Sequence, residues 1–197
     1  VLLSDVDLLR WRQDLIEDRN RLAALYAAAK QVDASRDAKL IALREVIAHK
    51  FEHPANPGNK KIIIFTAFAD TAAYLYEQLS IWAKADLGIE SALVTGTGRN
   101  QTSLPHLRKD LASILSAFSP RSKERPADLA HEGELDLLIA TDCISEGQNL
   151  QDCDYVINYD IHWNPVRIIQ RFGRVDRIGS PNKTIQLVNY WPDISLD

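Results

Sequence analysis

The sequence predicts an α/β fold: a three-layer α/β/α domain with a mainly parallel sheet of five or more strands, preceded by an N-terminal helical extension. Five short apolar runs between residues 61 and 190 are the first observation behind this reading. Helical segments separate them, which is the second. Strands that read as continuous apolar runs are buried on both faces, and a parallel sheet with helices on either side is the arrangement that buries them. The third is a change of period, because the first fifty residues repeat at helical spacing and then break.

In the extension, Leu8, Leu9, Trp11, Leu15, Ile16, Leu22, Leu25 and Tyr26 follow the spacing of a long amphipathic helix, with Ser4 and Asp5 as candidate caps. A second helix is expected from Asp37 to about Phe51. The stretch "EHPANPGNKK" then interrupts the pattern with two prolines and a glycine. "KIIIFTAF" (61–68) is the first strand, and 70–82 reads as the helix after it. "SALVT" (91–95) is the second strand, followed by a loop, "GTGRN", and a helix over "LPHLRKDLASILSAF" (104–118). The polar segment 119–134 reads as a surface insertion. Strands at 135–141, 154–160 and 184–190 complete the sheet, with a helix begun by Pro165 and capped by Asn164 before the last one. In such sheets function collects at the loops that leave the strand C-termini.

Composition narrows the classes. The 197 residues are 46% hydrophobic and 25% charged with a net charge of −4, which suits a globular chain and argues against coating nucleic acid by bulk attraction. No apolar run approaches membrane-spanning length and the N-terminus turns charged at once, so no membrane partner is expected and a cytoplasmic setting is. Cys143 and Cys153 are too few for a disulfide framework or a Cys-based zinc site, so no metal site is expected; both read as reduced, mostly buried thiols. Methionine is absent, position 1 included, which reads as a piece excised from something longer.

The most unusual stretch is "IIQRFGRVDRIGS" (168–180). Continued as a helix at about 100° per residue, it places Arg167, Gln170, Arg174 and Arg177 in a band roughly 80° wide, with Ile168, Phe172 and Val175 opposite. A solvated face usually mixes signs, because stacked like charges repel. Arginine also offers a fixed donor fork that holds two phosphate oxygens and never loses its charge. By its residues alone this face fits either phosphate contact or a solvated, ion-paired surface. Arg167 and Arg171 stand between phosphate contact and an ion pair with Asp176 or a neighbour.

"QRFGRVDR" (170–177) matches the Q-x-x-G-R-x-x-R signature called motif VI in superfamily 2 helicases and translocases. "LLIATDCISEGQNLQDCDYVINYD" (137–160) resembles motif V, at about 138–150, and the strand after it. "KIIIFTAFADTAAYLYEQL" (61–79) resembles motif IV, at about 61–68. The details "SEGQNLQ", "WNP" and "DRIGS" look most like the Swi/Snf-like ATPases, particularly the bacterial RNA-polymerase-associated kind.

The resemblance implies that residues 37–197 are a RecA-like helicase C-terminal domain and residues 1–36 a helical extension or linker. In this family two such domains enclose ATP. No G-x-x-x-x-G-K-[ST] occurs in the chain, so ATP and Mg2+ are expected only with an N-terminal P-loop motor domain, and the chain alone is expected to be inactive. Arg174 and Arg177 match the motif VI arginines that reach the γ-phosphate, a role worth on the order of 10³ to 10⁵ in rate in related hydrolases. Gln170 matches a residue of the same cleft. Gly147 and Asn149 of motif V are candidate nucleotide contacts, each with a plain turn residue as its alternative. Thr66, Thr95, Gly96 and Thr141 lie at strand ends that line the nucleic-acid track, which double-stranded DNA suits best, and would hold phosphates without reading bases. Thr97 and Arg99 fall where the loop departs from the family's usual sequence. Trp163 either stacks on a base or wedges strands, or is core or domain-interface packing. The competing functions are a duplex translocase or remodeller that does not separate strands, and a catalytically silent protein-binding module.

Overall fold

The computed structural model describes residues 7–96, 98, 100–144, 147–161 and 164–191. It contains the expected mostly parallel α/β sheet, six strands in the order β3-β2-β4-β1-β5-β6. Strands β1 (Ile62–Phe65), β2 (Ser91–Val94), β4 (Leu137–Ala140), β5 (Tyr155–Asn158) and β6 (Gln186–Asn189) run parallel to one another. Strand β3 (Gln101–Thr102) pairs antiparallel with β2 and was not foreseen, since two polar residues carry no strand signal. Among the described residues no helix is long and apolar enough to cross a membrane.

The chain divides into two units, Val1–Leu43 and Arg44–Asp197. In the first, α1 (Leu8–Ala29) starts at Asp7, whose carboxylate accepts from the Leu9 and Arg10 amides; Ser4 and Asp5 lie outside the described residues. Its large apolar side chains are exposed. Helix α2 (Ala38–Glu52) runs across the boundary.

In the second unit, side-chain alternation along the strands creates two buried layers. Ile63, Phe65, Ala92, Val94, Leu138, Ala140 and Val156 share one core with Ile114, Leu115 and Phe118 of α4 (Leu111–Phe118). The alternate residues Ile62, Ile64, Leu93, Leu137, Ile139 and Ile157 are equally buried, as are Leu75 and Leu79 of α3 (Ala69–Trp82). A π-helical turn, Ala83–Leu87, extends α3 until Gly88 ends it at φ +65°. Lys50 of α2 makes a buried ion pair with Asp154, 2.7 Å and 1% exposed on both sides. Asn56 and the Asn59 carbonyl complete this polar knot beneath β5.

Two helices are shorter than their apolar spacing suggests. Helix α4 starts at Leu111 rather than Leu104, because Asp110 caps it by accepting the Ser113 amide at 3.0 Å. Leu104 and Leu107 reach the core without being helical. Helix α5 spans only Pro165–Phe172, capped by Asn164 as expected. Arg174 and Arg177 therefore lie beyond its end, and Val175, pulled fully into the core, sets the path of the turn between them.

Candidate functional site

The parallel register lines up Phe65, Ala140 and Val94 across β1, β4 and β2, so the residues that follow them form a row at the C-terminal edge of the sheet. That row is Thr66, Thr141 and Thr95, three of the four proposed track residues. Adjacent strands lie about 4.8 Å apart, so the row is compact. The ladder continues through it, since the Thr66 amide donates to Ala140 O and the Thr141 amide to Val94 O. All three threonines are buried. The Thr66 hydroxyl donates to Asp160 Oδ2, and the Thr141 hydroxyl to Cys143 Sγ at 3.4 Å. The surface of the row is instead formed by exposed Gly96 and by Cys143, which is exposed although both thiols were expected to be buried. Cys153 is the buried one, its thiol pushed up to about 12 first by loss of solvation.

The loop after β4 carries the motif V residues. Gly147 sits at φ +71°, a conformation that itself calls for glycine, and nothing among the described residues lies within 4 Å of where a Cβ would be. Asn149 Oδ1 is buried without a hydrogen-bond partner among the described residues, and so is Gln170 Oε1 on α5. Both are acceptors that lack a donor. Such atoms are costly unless a ligand or partner satisfies them.

Arg171 is the residue that sequence reasoning placed least well. It is fully buried, and its ion pair is with Asp142 rather than Asp176: Nε donates to Asp142 Oδ1 at 2.7 Å. Nη1 donates to Asn158 Oδ1 at 2.9 Å, and the guanidinium lies 5.2 Å from the Phe65 ring centre. Nη2 is buried without a hydrogen-bond partner among the described residues. Asn158 in turn donates to Asn189, and Asp160 accepts from Thr66 and from the Ala67 amide. The ends of β1, β4, β5 and β6 are thus tied together through one guanidinium. The only signal in the sequence was the polar residues Asp142, Asn158 and Asp160 closing otherwise apolar strands.

Beyond α5 the chain leaves the helix at Gly173, buries Val175 and emerges at Arg177, which is exposed. The Arg177 guanidinium makes no hydrogen bond or ion pair within the described residues. An exposed guanidinium of this kind can meet an anion brought by another surface. Glu146, Thr97, Arg99 and Trp163 lie outside the described residues.

A family model described as the helicase conserved C-terminal domain matches residues 38–179. An uncharacterized ATP-dependent helicase of Bacillus subtilis, YqhH, is 35% identical over 119 residues, 60% of this chain and 17% of that protein. The ATP-dependent RNA helicase DHX58 of Mus musculus is 25% identical over 169 residues, 83% of this chain and 22% of that protein. The chain therefore spans about a fifth of the length of these relatives. Among solved structures, the C-terminal part of the Fun30 ATPase domain superposes with a TM-score of 0.53 at 16% identity, covering 87% of this chain and 48% of that one. The Pyrococcus furiosus Hef helicase domain gives 0.50 at 23% identity, covering 90% and 31%. These likenesses are of fold.

Proposed function

Residues 38–179 place this chain in the helicase conserved C-terminal domain family, and from that premise we propose that it is the second motor domain of an ATP-dependent nucleic-acid translocase. In this reading residues 37–197 form the motor domain, residues 1–36 are an extension, and a P-loop domain of the same protein completes the ATP site. The observation that carries it is the exposed guanidinium of Arg177, which has no partner among the described residues, on a segment whose Arg174 carbonyl accepts from the Leu150 amide next to Asn149, together with the acceptors Asn149 Oδ1 and Gln170 Oε1, which lack a donor among the described residues.

These residues fit a nucleotide. A guanidinium fork suits phosphate oxygens, and buried acceptors suit hydroxyl donors such as those of a ribose. ATP, when bound with Mg2+, supplies the phosphoryl group that leaves. Arg177 and Arg174 would neutralise charge on its oxygens, while Asn149 and Gln170 orient the nucleotide and Gly147 lets the loop turn toward it.

Gly96, with the Thr66, Thr141 and Thr95 row beneath it, forms part of the nucleic-acid track. The buried threonines stiffen that edge, and the exposed backbone meets phosphates without reading bases. The "SEGQNLQ" and "DRIGS" details favour a Swi/Snf-like motor on double-stranded DNA. Such a motor changes its grip once per cycle as two domains close and open.

The test is turnover with and without the other half. The 197-residue chain alone should hydrolyse no ATP, and the same chain joined to its P-loop domain should hydrolyse ATP faster when duplex DNA is added. Turnover by the chain alone, or a joined protein indifferent to duplex DNA and to RNA, would contradict the proposal.

A further inference from the structure

Helix α5 ends at Phe172, and beyond it the Arg174 amide donates to Arg171 O and the Val175 and Asp176 amides to Phe172 O, which turns the chain toward Arg177. The segment is also held from the motif V side. The Leu150 amide donates to Arg174 O at 3.0 Å, ahead of the exposed tip. Behind the tip, the Gln151 side chain donates from Nε2 to Ile178 O at 3.1 Å. The Gln151 carbonyl accepts from Asn182 Nδ2 at 2.8 Å and from Ser180 Oγ at 3.4 Å. Gln151 is only 9% exposed, so these bonds form where water competes little.

Within the tip the Ser180 amide donates to Arg177 O at 3.1 Å. Asp176, Arg177 and Ile178 are exposed, Ile178 wholly, and Gly179 turns the chain at φ +91°. Leu150 and Gln151 follow directly on Asn149 and Gly147. One short segment therefore carries the candidate nucleotide-binding loop and brackets the arginine loop on both sides.

We propose that Gln151 is a positioning residue. Through its bonds to Ile178, Ser180 and Asn182 it fixes Arg177 relative to the motif V loop, so that the two parts of the half-site keep one geometry. This rests on the motor-domain reading above. An arginine that acts in phosphoryl transfer must be preorganised, and a loop released by about one hydrogen bond spends most of its time elsewhere. A group that sets the geometry of a transition-state contact alters kcat more than substrate binding.

Two measurements test it. Trypsin cleaves after Arg174 and Arg177, so cleavage at these sites in the 197-residue chain reports on the loop directly. Gln151→Met, which keeps the length and removes the donor, should speed it about fivefold to tenfold, the population factor of one hydrogen bond. Ser180→Ala, which removes the weaker contact to Gln151 O and the bond that Ser180 Oγ accepts from the Asn182 amide, should give about twofold and protects the test against a Gln151 variant that folds poorly. In the protein joined to its P-loop domain, Gln151→Met should lower kcat about tenfold with KM for ATP changed less than threefold. Unchanged cleavage in both variants overturns the bracket, and an equal rise in KM overturns the positioning role. An Arg177→Ala protein that turns over normally overturns the parent reading instead, while the trypsin rates still decide whether Gln151 holds the loop.

Discussion

Replacing Arg171 with methionine should destabilise the domain more than any other single change at the site. The side chain is fully buried, and its loss removes a charge-assisted bond to Asp142 at 2.7 Å and a bond to Asn158 at 2.9 Å. Asn158 is itself fully buried, so its Oδ1 loses its donor at a cost of about 1–3 kcal/mol. The Asp142 side chain is 26% exposed and can recover water, which limits that share to about 1 kcal/mol. Methionine fills most of the volume, so the cavity contribution is small. The sum, about 3 kcal/mol, corresponds to a fall in Tm of about 6–12 °C for a unit of this size. Thermal unfolding followed by circular dichroism, with a urea midpoint as a second probe, measures it. Arg171→Lys should fall between, since one ammonium cannot reproduce the fork. A Tm within about 2 °C of the parent for Arg171→Met would refute the view that this guanidinium ties the strand ends together.

Lys50→Met should cost about 3–5 kcal/mol by leaving Asp154 buried without its cation, and the double substitution Lys50→Met/Asp154→Leu should recover a large part; urea denaturation of the three proteins checks both. In the native state a thiol reagent should modify Cys143 quickly and Cys153 only after unfolding, as mass spectrometry of the labelled peptides would read. Burial raises the Cys153 thiol from 9.0 to about 12, so the folded chain keeps a proton that the unfolded chain releases. That contribution is intact below about pH 9 and is lost between about pH 9 and 12. Measured at pH 8 and pH 10.5, the parent should therefore lose about 2 kcal/mol more stability than Cys153→Ala does.

Five of the six strands were legible because each is a run of apolar residues that must be buried on both faces, as Ile62–Phe65 and Leu137–Ala140 are. Strand β3 was not, because its two polar residues pair only where the chain returns past β2. The end of α5 was misjudged for a physical reason. Periodicity counts Val175 as one more residue on the apolar side, whereas the chain buries it by leaving the helix at Gly173. Arg171 and Gln151 escaped because their partners are distant in sequence and polar. Charge alone does not say whether an arginine meets a ligand or, as here, Asp142 and Asn158. Of the candidates read from motif spacing, Arg174 and Arg177 lie on the segment after α5 that bonds to Leu150 and Gln151, Asn149 precedes Leu150 directly, and Gln170 lies on α5 itself.

The central claim is that Arg177 completes an ATP site formed with another domain. Its most direct test is Arg177→Ala in the protein joined to its P-loop domain, with ATP binding and nucleic-acid-stimulated hydrolysis measured side by side. The account predicts ATP binding within a fewfold of the parent and hydrolysis reduced by on the order of 10³ or more. Full hydrolysis by the variant would contradict it.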